Sequence, residues 1–165
     1  MQLKTLLSAI SVSQITGPPD RTVESIAYDS RRVQRNGLFV ALRGEKSDGH
    51  NFIGQALEKG ASVIVAERAE SFPNVSCVVV ENTRPALADL SAAFYGYPVR
   101  KLKMAGVTGT NGKTTTTFLI QHICEKAGLR CGLIGTVRYQ IGERVLPAAR
   151  TTPWTMRARR GSSVR

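Results

Sequence analysis

A chain of 165 residues, 42% apolar and 21% charged, can bury one core or two small ones and has the composition of an ordinary soluble globular protein. No apolar run approaches the ~20 residues of a membrane span, and Met1-Gln2-Leu3-Lys4 opens no secretory signal, so a cytoplasmic location without a membrane partner is expected. The formal charge of +11 suits a handler of polyanions, and Arg157, Arg159, Arg160 and Arg165 hold four of those charges in the last twelve residues.

Leu3, Leu6, Leu7 and Ile10 recur at helical spacing, which predicts a short amphipathic helix at the start. Gly17-Pro18-Pro19-Asp20 is a turn signal. A strand is expected over Val23 to Tyr28, ending at Asp29-Ser30-Arg31-Arg32. A second is expected over Leu38 to Leu42, between Asn36-Gly37 and Gly44. This opening reads as a hairpin or a mixed sheet. Asp48 then caps a predicted helix carrying Phe52, Ile53, Ala56 and Leu57, which stops at Gly60. Ser62 to Ala66 and Cys77 to Val80 read as buried strands. Asn82 or Thr83 caps a helix with Pro85 in its first turn and Leu87, Leu90 and Phe94 on one face, ended by Gly96-Tyr97-Pro98.

After the polar junction Val99-Arg100-Lys101, the apolar residues Leu102, Met104, Ala105 and Val107 predict a strand. It breaks into Gly109-Thr110-Asn111-Gly112-Lys113-Thr114, and a helical pattern with Phe118, Leu119, Ile123 and Ala127 follows. Strand, glycine loop, Lys-Thr and helix is the order of a phosphate-binding P-loop. Glycines let backbone N–H groups face a phosphate, and the helix start adds unpaired donors and a positive dipole end. Lys113 is placed to reach the β- and γ-phosphates, and the Thr114 hydroxyl to ligate Mg²⁺. The match to G-x-x-x-x-G-K-[ST] is incomplete, because Val107 stands where the first glycine belongs. A mononucleotide, ATP, is the expected ligand. The chain then returns as a predicted strand over Cys131 to Val137, with a small hairpin around Gly142-Glu143.

Cys77, Cys124 and Cys131 are odd in number and form no CxxC. With His50 and His122 the only histidines, they read as reduced thiols rather than a metal cluster. His50 reads as a first-turn helix residue, and His122 has no obvious partner.

The loop GVTGTNGKTTTT resembles the ATP loop of the Mur ligases, the ATP-dependent amide-forming enzymes of peptidoglycan synthesis. Leu133-Ile134-Gly135-Thr136 and Thr151-Thr152-Pro153 look most like the member that adds the third amino acid. Tyr28-Asp29-Ser30-Arg31, Gly37 to Ala41, Gly44 and Asp48-Gly49 carry the same resemblance independently. It runs from about residue 3 to Pro153.

The resemblance implies an α/β protein: a small mixed-sheet UDP-sugar-binding domain over residues 1–98, then the start of a doubly wound P-loop ATPase domain over 99–153. It implies uridine-nucleotide contacts at Tyr28, Ser30, Glu45, Lys46 and Ser47. ATP contacts fall at Gly109, Thr110, Asn111, Gly112, Lys113, Thr114 and Thr115, with Lys113 catalytic and Thr114 on the metal. Thr151 and Thr152 match a pair contacting the muramyl peptide. The substrates would be UDP-MurNAc-L-Ala-D-Glu and an amino acid. ATP would activate the D-glutamate carboxylate as an acyl-phosphate, which the amine then attacks. The family's Mg²⁺-binding glutamate, carbamylated lysine, catalytic histidine and amino-acid domain would lie beyond Pro153. Residues 154–165 instead turn abruptly to Arg, Gly and Ser. That switch is what a change of reading frame in a GC-rich gene would produce, so an inactive, truncated ligase with a disordered tail is expected.

Two other functions compete. A free-standing P-loop ATPase would need an apolar run ending in Asp after Thr114, and none follows. A nucleic-acid binder would need aromatic residues interleaved with Lys and Arg, and these do not line up, so no nucleic-acid partner is expected.

Overall fold

The computed structural model describes residues 1–44 and 47–147. The chain divides into two compact units, with the boundary between Leu102 and Lys103.

The first unit is built on strands whose residues alternate between two cores. Helix α1 (Leu3–Leu7) and strand β1 (Gln14–Thr16) lead into β2 (Ser25–Ala27), β3 (Gly37–Val40), helix α2 (Ile53–Glu58), β4 (Ala61–Ala66), β5 (Ser76–Val79) and helix α3 (Thr83–Phe94). The sheet order is β1-β5-β4-β3-β2. All neighbouring pairs are parallel except β1 with β5, which is antiparallel. Every residue of β4 is buried, as expected for a central parallel strand covered on both faces.

Period-two alternation sorts the side chains. Ile26, Leu38, Val40, Val63, Val65 and Val78 face Leu3 and Leu6 of α1 and Ala86, Leu87 and Leu90 of α3. Ala27, Phe39, Ala41, Ile64 and Ala66 face Ile53 and Ala56 of α2. The unit is therefore a helix–sheet–helix sandwich.

Of the two arrangements the sequence allows for β2 and β3, the structure has the mixed sheet and not the hairpin. Asp29 accepts the N–H of Arg31 and starts a 3-10 turn over Ser30–Arg32. That turn carries the chain back so that β3 runs parallel to β2, with Ile26 opposite Leu38.

The second unit begins with irregular chain. The strand predicted over Leu102 to Val107 is not formed: these residues are in no ladder, and Leu102 and Met104 are 62% and 67% exposed. An apolar run becomes a strand only beside a ladder partner, and the described residues of this unit supply none. Helix α4 (Lys113–Lys126) follows, then β6 (Gly132–Ile134), β7 (Arg138–Ile141) and β8 (Arg144–Pro147). These three strands form an antiparallel meander with its tight turn at Gly142-Glu143. The strand predicted to Val137 stops at Ile134, because its backbone pairs with β7. The doubly wound parallel sheet expected here is thus absent among the described residues. On α4, Leu119 and Ile123 remain 58% and 66% exposed.

Candidate functional site

In the first unit, the residues singled out by sequence gather at one end of the sheet. Tyr28 and Ser30 follow β2, and Ser47 lies in the loop after β3. Both positions are at carboxyl ends of parallel strands, where open α/β sheets bind ligands. Glu45 and Lys46 lie outside the described residues. The loop after β3 is closed by bonds from Gly44 N–H to the Ser47 carbonyl, 3.0 Å, and from Gly49 N–H to the Leu42 carbonyl, 2.7 Å. A Cβ on Gly49 would meet the Leu42 carbonyl oxygen at 2.5 Å, so only glycine permits that approach. Ser47 is exposed, and Tyr28 is half-buried against the α1/α3 core.

Ser30 is buried, and its hydroxyl donates to Gln55 Oε1 on α2. Its proton is committed within the protein, and the Oγ lone pairs are what it has to offer a ligand. Next to it, Arg31 clasps the Asp29 carboxylate with Nε at 2.9 Å and a terminal nitrogen at 2.8 Å. That clasp holds the Asp29 carboxyl below the usual carboxylate range.

A polar network that the sequence does not announce braces this same end of the sheet. His50 sits in the 3-10 turn Gly49–Phe52 and is buried. Its Nε2 accepts the Glu67 N–H at 3.1 Å, so Nδ1 carries the proton and donates it to Asp48. Glu67 follows β4, and its carboxylate accepts the N–H and hydroxyl of Thr83 at 3.2 and 3.0 Å, at the start of α3. Asp48 and Glu67 are both held below the carboxylate range, chiefly by the N–H groups of His50 and Thr83 respectively. Arg43 and Arg68 lie 3.6–4.0 Å from these two carboxylates, and Arg84 donates to the Arg43 carbonyl. The loops after β3 and β4 are thereby tied to α3. Asp48 and Asn82, each two residues before the N–H it accepts, were legible as caps. The Glu67–Thr83 and His50–Glu67 contacts span 16 and 17 residues and leave no local signal.

A hollow of about 200 Å³ lies on the α3 side, lined by Glu81, Asn82 and Asp89 among others. It contains none of the sequence-predicted residues, and its two carboxylates suit no anionic ligand.

In the second unit, Gly109 through Thr116 are exposed. Gly112 precedes α4 at φ +77°, with nothing within 4 Å of where a Cβ would stand. The left-handed backbone, not crowding, is what requires glycine there. The Gly112 carbonyl accepts the Thr116 N–H at 2.9 Å. The N–H groups of Lys113, Thr114 and Thr115 donate to no protein acceptor among the described residues, as a helix start dictates. The Lys113 ammonium folds over the loop onto the carbonyls of Gly109 and Thr110. Thr114 is exposed at the first turn. Gly109, Thr110, Asn111, Gly112, Lys113, Thr114 and Thr115 thus lie together on one exposed loop and the helix start that follows it. Thr151 and Thr152 lie outside the described residues. His122 is exposed on α4, and no group of three or more His, Cys, Asp or Glu residues able to hold a metal occurs among the described residues.

Comparison with known proteins bears on both units. Residues 22–95 match the model of the Mur ligase family, catalytic domain, and residues 107–160 match the Mur ligase middle domain. The UDP-N-acetylmuramoyl-L-alanyl-D-glutamate–2,6-diaminopimelate ligase of Clostridium tetani is 44% identical over 157 residues, covering 93% of this chain and 32% of the relative. The ligase of the same name from Geobacillus thermodenitrificans is 48% identical over 153 residues, covering 93% of this chain and 31% of the relative. A solved ligase of that name superposes at a TM-score of 0.67 with 25% identity, over 89% of this chain and 30% of that one. A crystal structure of MurF from Acinetobacter baumannii superposes at 0.61 with 31% identity, over 75% and 27%. The chain spans about a third of the length of the relatives it matches.

Proposed function

The chain belongs to the Mur ligase family, and we propose that it carries the uridine-nucleotide unit and the ATP loop of the ligase that adds the third amino acid to UDP-MurNAc-L-Ala-D-Glu. The observation that carries this reading is the open donor loop at Gly109–Thr115, on a chain whose relatives are named for that ligation. Residues 1–98 are the substrate unit and 99–153 the opening of the ATP unit. The division between Leu102 and Lys103 and the spans of the two family models support that assignment.

The loop fits a nucleotide phosphate. Among the described residues its first-turn N–H groups lack protein acceptors and Lys113 meets only neutral carbonyls that an anion would outbid, while Gly109 and Gly112 leave the loop open. Bound ATP would supply the phosphoryl group that activates the substrate carboxylate. The backbone N–H groups of the loop orient the phosphate chain, and Lys113 moves from the Gly109 and Thr110 carbonyls to neutralise charge. Thr114 would hold Mg²⁺ through its hydroxyl, the hard oxygen donor such an ion takes, together with phosphate oxygens.

At the other site, the Asp48–His50–Glu67–Thr83 network holds the β3 and β4 loops in place so that Tyr28, Ser30, Glu45, Lys46 and Ser47 can receive the uridine nucleotide. Thr151 and Thr152 would contact the muramyl peptide. The amino acid we propose is 2,6-diaminopimelate, from the relatives' names. ATP and a nucleotide-sugar substrate place the reaction in the cytoplasm; no described helix is long and apolar enough to cross a membrane.

Separate calorimetric titrations of UDP-MurNAc-L-Ala-D-Glu and ATP test the reading. Binding of the UDP ligand that Lys113→Met leaves intact is expected. Tight ATP binding with no response to the UDP ligand would replace it with a free-standing ATPase.

A further inference from the structure

Gln55 stands where helix α2 meets the turn that carries Ser30. It is the third residue of α2, between Ile53 and Ala56, and those two are buried in one apolar cluster with Val33. Val33 closes the 3-10 turn over Ser30–Arg32, and its N–H donates to the Ser30 carbonyl at 3.4 Å. Close packing therefore holds helix and turn at a fixed spacing. Across that spacing the hydroxyl of buried Ser30 donates to Gln55 Oε1 at 2.5 Å, a bond between residues 25 apart in the chain. Gln55 itself is exposed, and among the described residues its side chain has no other hydrogen-bond partner. An exposed glutamine ordinarily keeps its rotamer freedom in water, and giving it up costs side-chain entropy. What the bond secures is the direction of one buried hydroxyl.

A serine hydroxyl without a partner turns among its staggered positions and can donate or accept. Bound to an amide oxygen it keeps one position, with its proton committed and its lone pairs open. Resting on the uridine-nucleotide reading of this end of the sheet, we propose that Gln55 is the positioning residue of that site: it takes the Ser30 proton and fixes Oγ as an acceptor for the nucleotide sugar. Gln55 acts through Ser30 and not by its own contact with the ligand. Its contribution to binding therefore exists only while the Ser30 hydroxyl is present. Fixing one of the staggered positions in advance is worth up to about threefold in affinity.

The full chain is titrated with UDP-MurNAc-L-Ala-D-Glu by calorimetry, as parent, Gln55→Met, Ser30→Ala and the double variant. Methionine matches glutamine in reach and lacks the oxygen. At an exposed helix position it should fold, which thermal unfolding checks, and Gln55→Ala repeats the cycle. Gln55→Met is expected to weaken binding about two- to threefold in the parent and to change nothing further in the Ser30→Ala background. A second readout needs no ligand. Proton NMR of the parent should show a Ser30 hydroxyl resonance protected from exchange. Gln55→Glu, which keeps an acceptor oxygen, should retain that resonance, and Gln55→Met should lose it.

Equal losses of affinity in the two Ser30 backgrounds, affinity untouched by Gln55→Met, or a hydroxyl resonance that survives Gln55→Met would each overturn the proposal. A parent chain that does not bind the UDP ligand overturns the uridine reading, and the role of Gln55 with it. A parent that binds, without coupling between the two residues, overturns the role of Gln55 alone.

Discussion

Ser30 donates its proton to Gln55 within the fold, and its lone pairs are the proposed contact to the ligand. Ser30→Ala therefore removes an acceptor for substrate and also leaves Gln55 Oε1 without that donor. We expect affinity for UDP-MurNAc-L-Ala-D-Glu to fall roughly two- to tenfold, the worth of a neutral hydrogen bond accepted by Ser30, about 0.5–1.5 kcal/mol. Thermal unfolding should register a separate loss of about 1 kcal/mol. Unchanged calorimetric affinity in a folded variant would remove Ser30 from the uridine site. A pH dependence follows from Glu67. Its folded carboxyl sits below its ordinary value, so the stability it contributes is complete above about pH 4–5 and is lost as pH falls through the lowered value. Glu67→Gln keeps an oxygen for Thr83 but removes the titration. Acid unfolding of that variant should be shallower than that of the parent chain below about pH 4.

At the scale of elements, β3 and α4 are built on different physics. Phe39 of β3 is buried against the α2 layer, and Phe39→Ala should cost about 3–5 kcal/mol in chemical denaturation, the range for a buried aromatic truncated in a close-packed core. α4 depends on its first residue boundary. Gly112→Ala meets no neighbouring atom, so its cost of about 1–2 kcal/mol is backbone strain at a left-handed position. Crystals or chemical shifts of that variant should show α4 starting differently, and ATP should bind more weakly than to the parent. An unaltered ATP affinity would mean that the cradle does not depend on this turn.

The whole molecule joins a self-sufficient unit to one that is not. Residues 1–102 enclose two apolar clusters on either side of one sheet. In the second unit Leu119, Ile123, Leu129 and Ile134 are all more than half exposed. Expressed alone, residues 1–102 should unfold cooperatively and still bind the UDP ligand, whereas unit 2 should exchange its amide hydrogens first in the full chain. Mixed with ATP, Mg²⁺, UDP-MurNAc-L-Ala-D-Glu and diaminopimelate, the 165-residue chain should yield no tripeptide by mass spectrometry, because it spans about a third of the length of the ligases it matches. Steady product that survives repurification would show that the amine has a site here.

What the sequence determined by itself was whatever a few neighbouring residues decide. The left-handed turn at Gly112 and the helix start at Lys113 follow from Gly112-Lys113-Thr114 alone, and Asp29, Asp48 and Asn82 cap turns through bonds two residues long. The alternation of β3 and β4 between two faces was equally local, since each side chain's face follows from its place in the pleat. Tertiary structure alone decided the rest. Whether Leu102 to Val107 becomes a strand depends on a partner strand, and β6 ran antiparallel because β7 was the partner present. His50, read as a first-turn helix residue, is also a brace because the Glu67 N–H, 17 residues away, arrives at its Nε2. A ladder or a buried polar pair is completed by groups distant in the chain, so its energy exists only once the fold has brought them together.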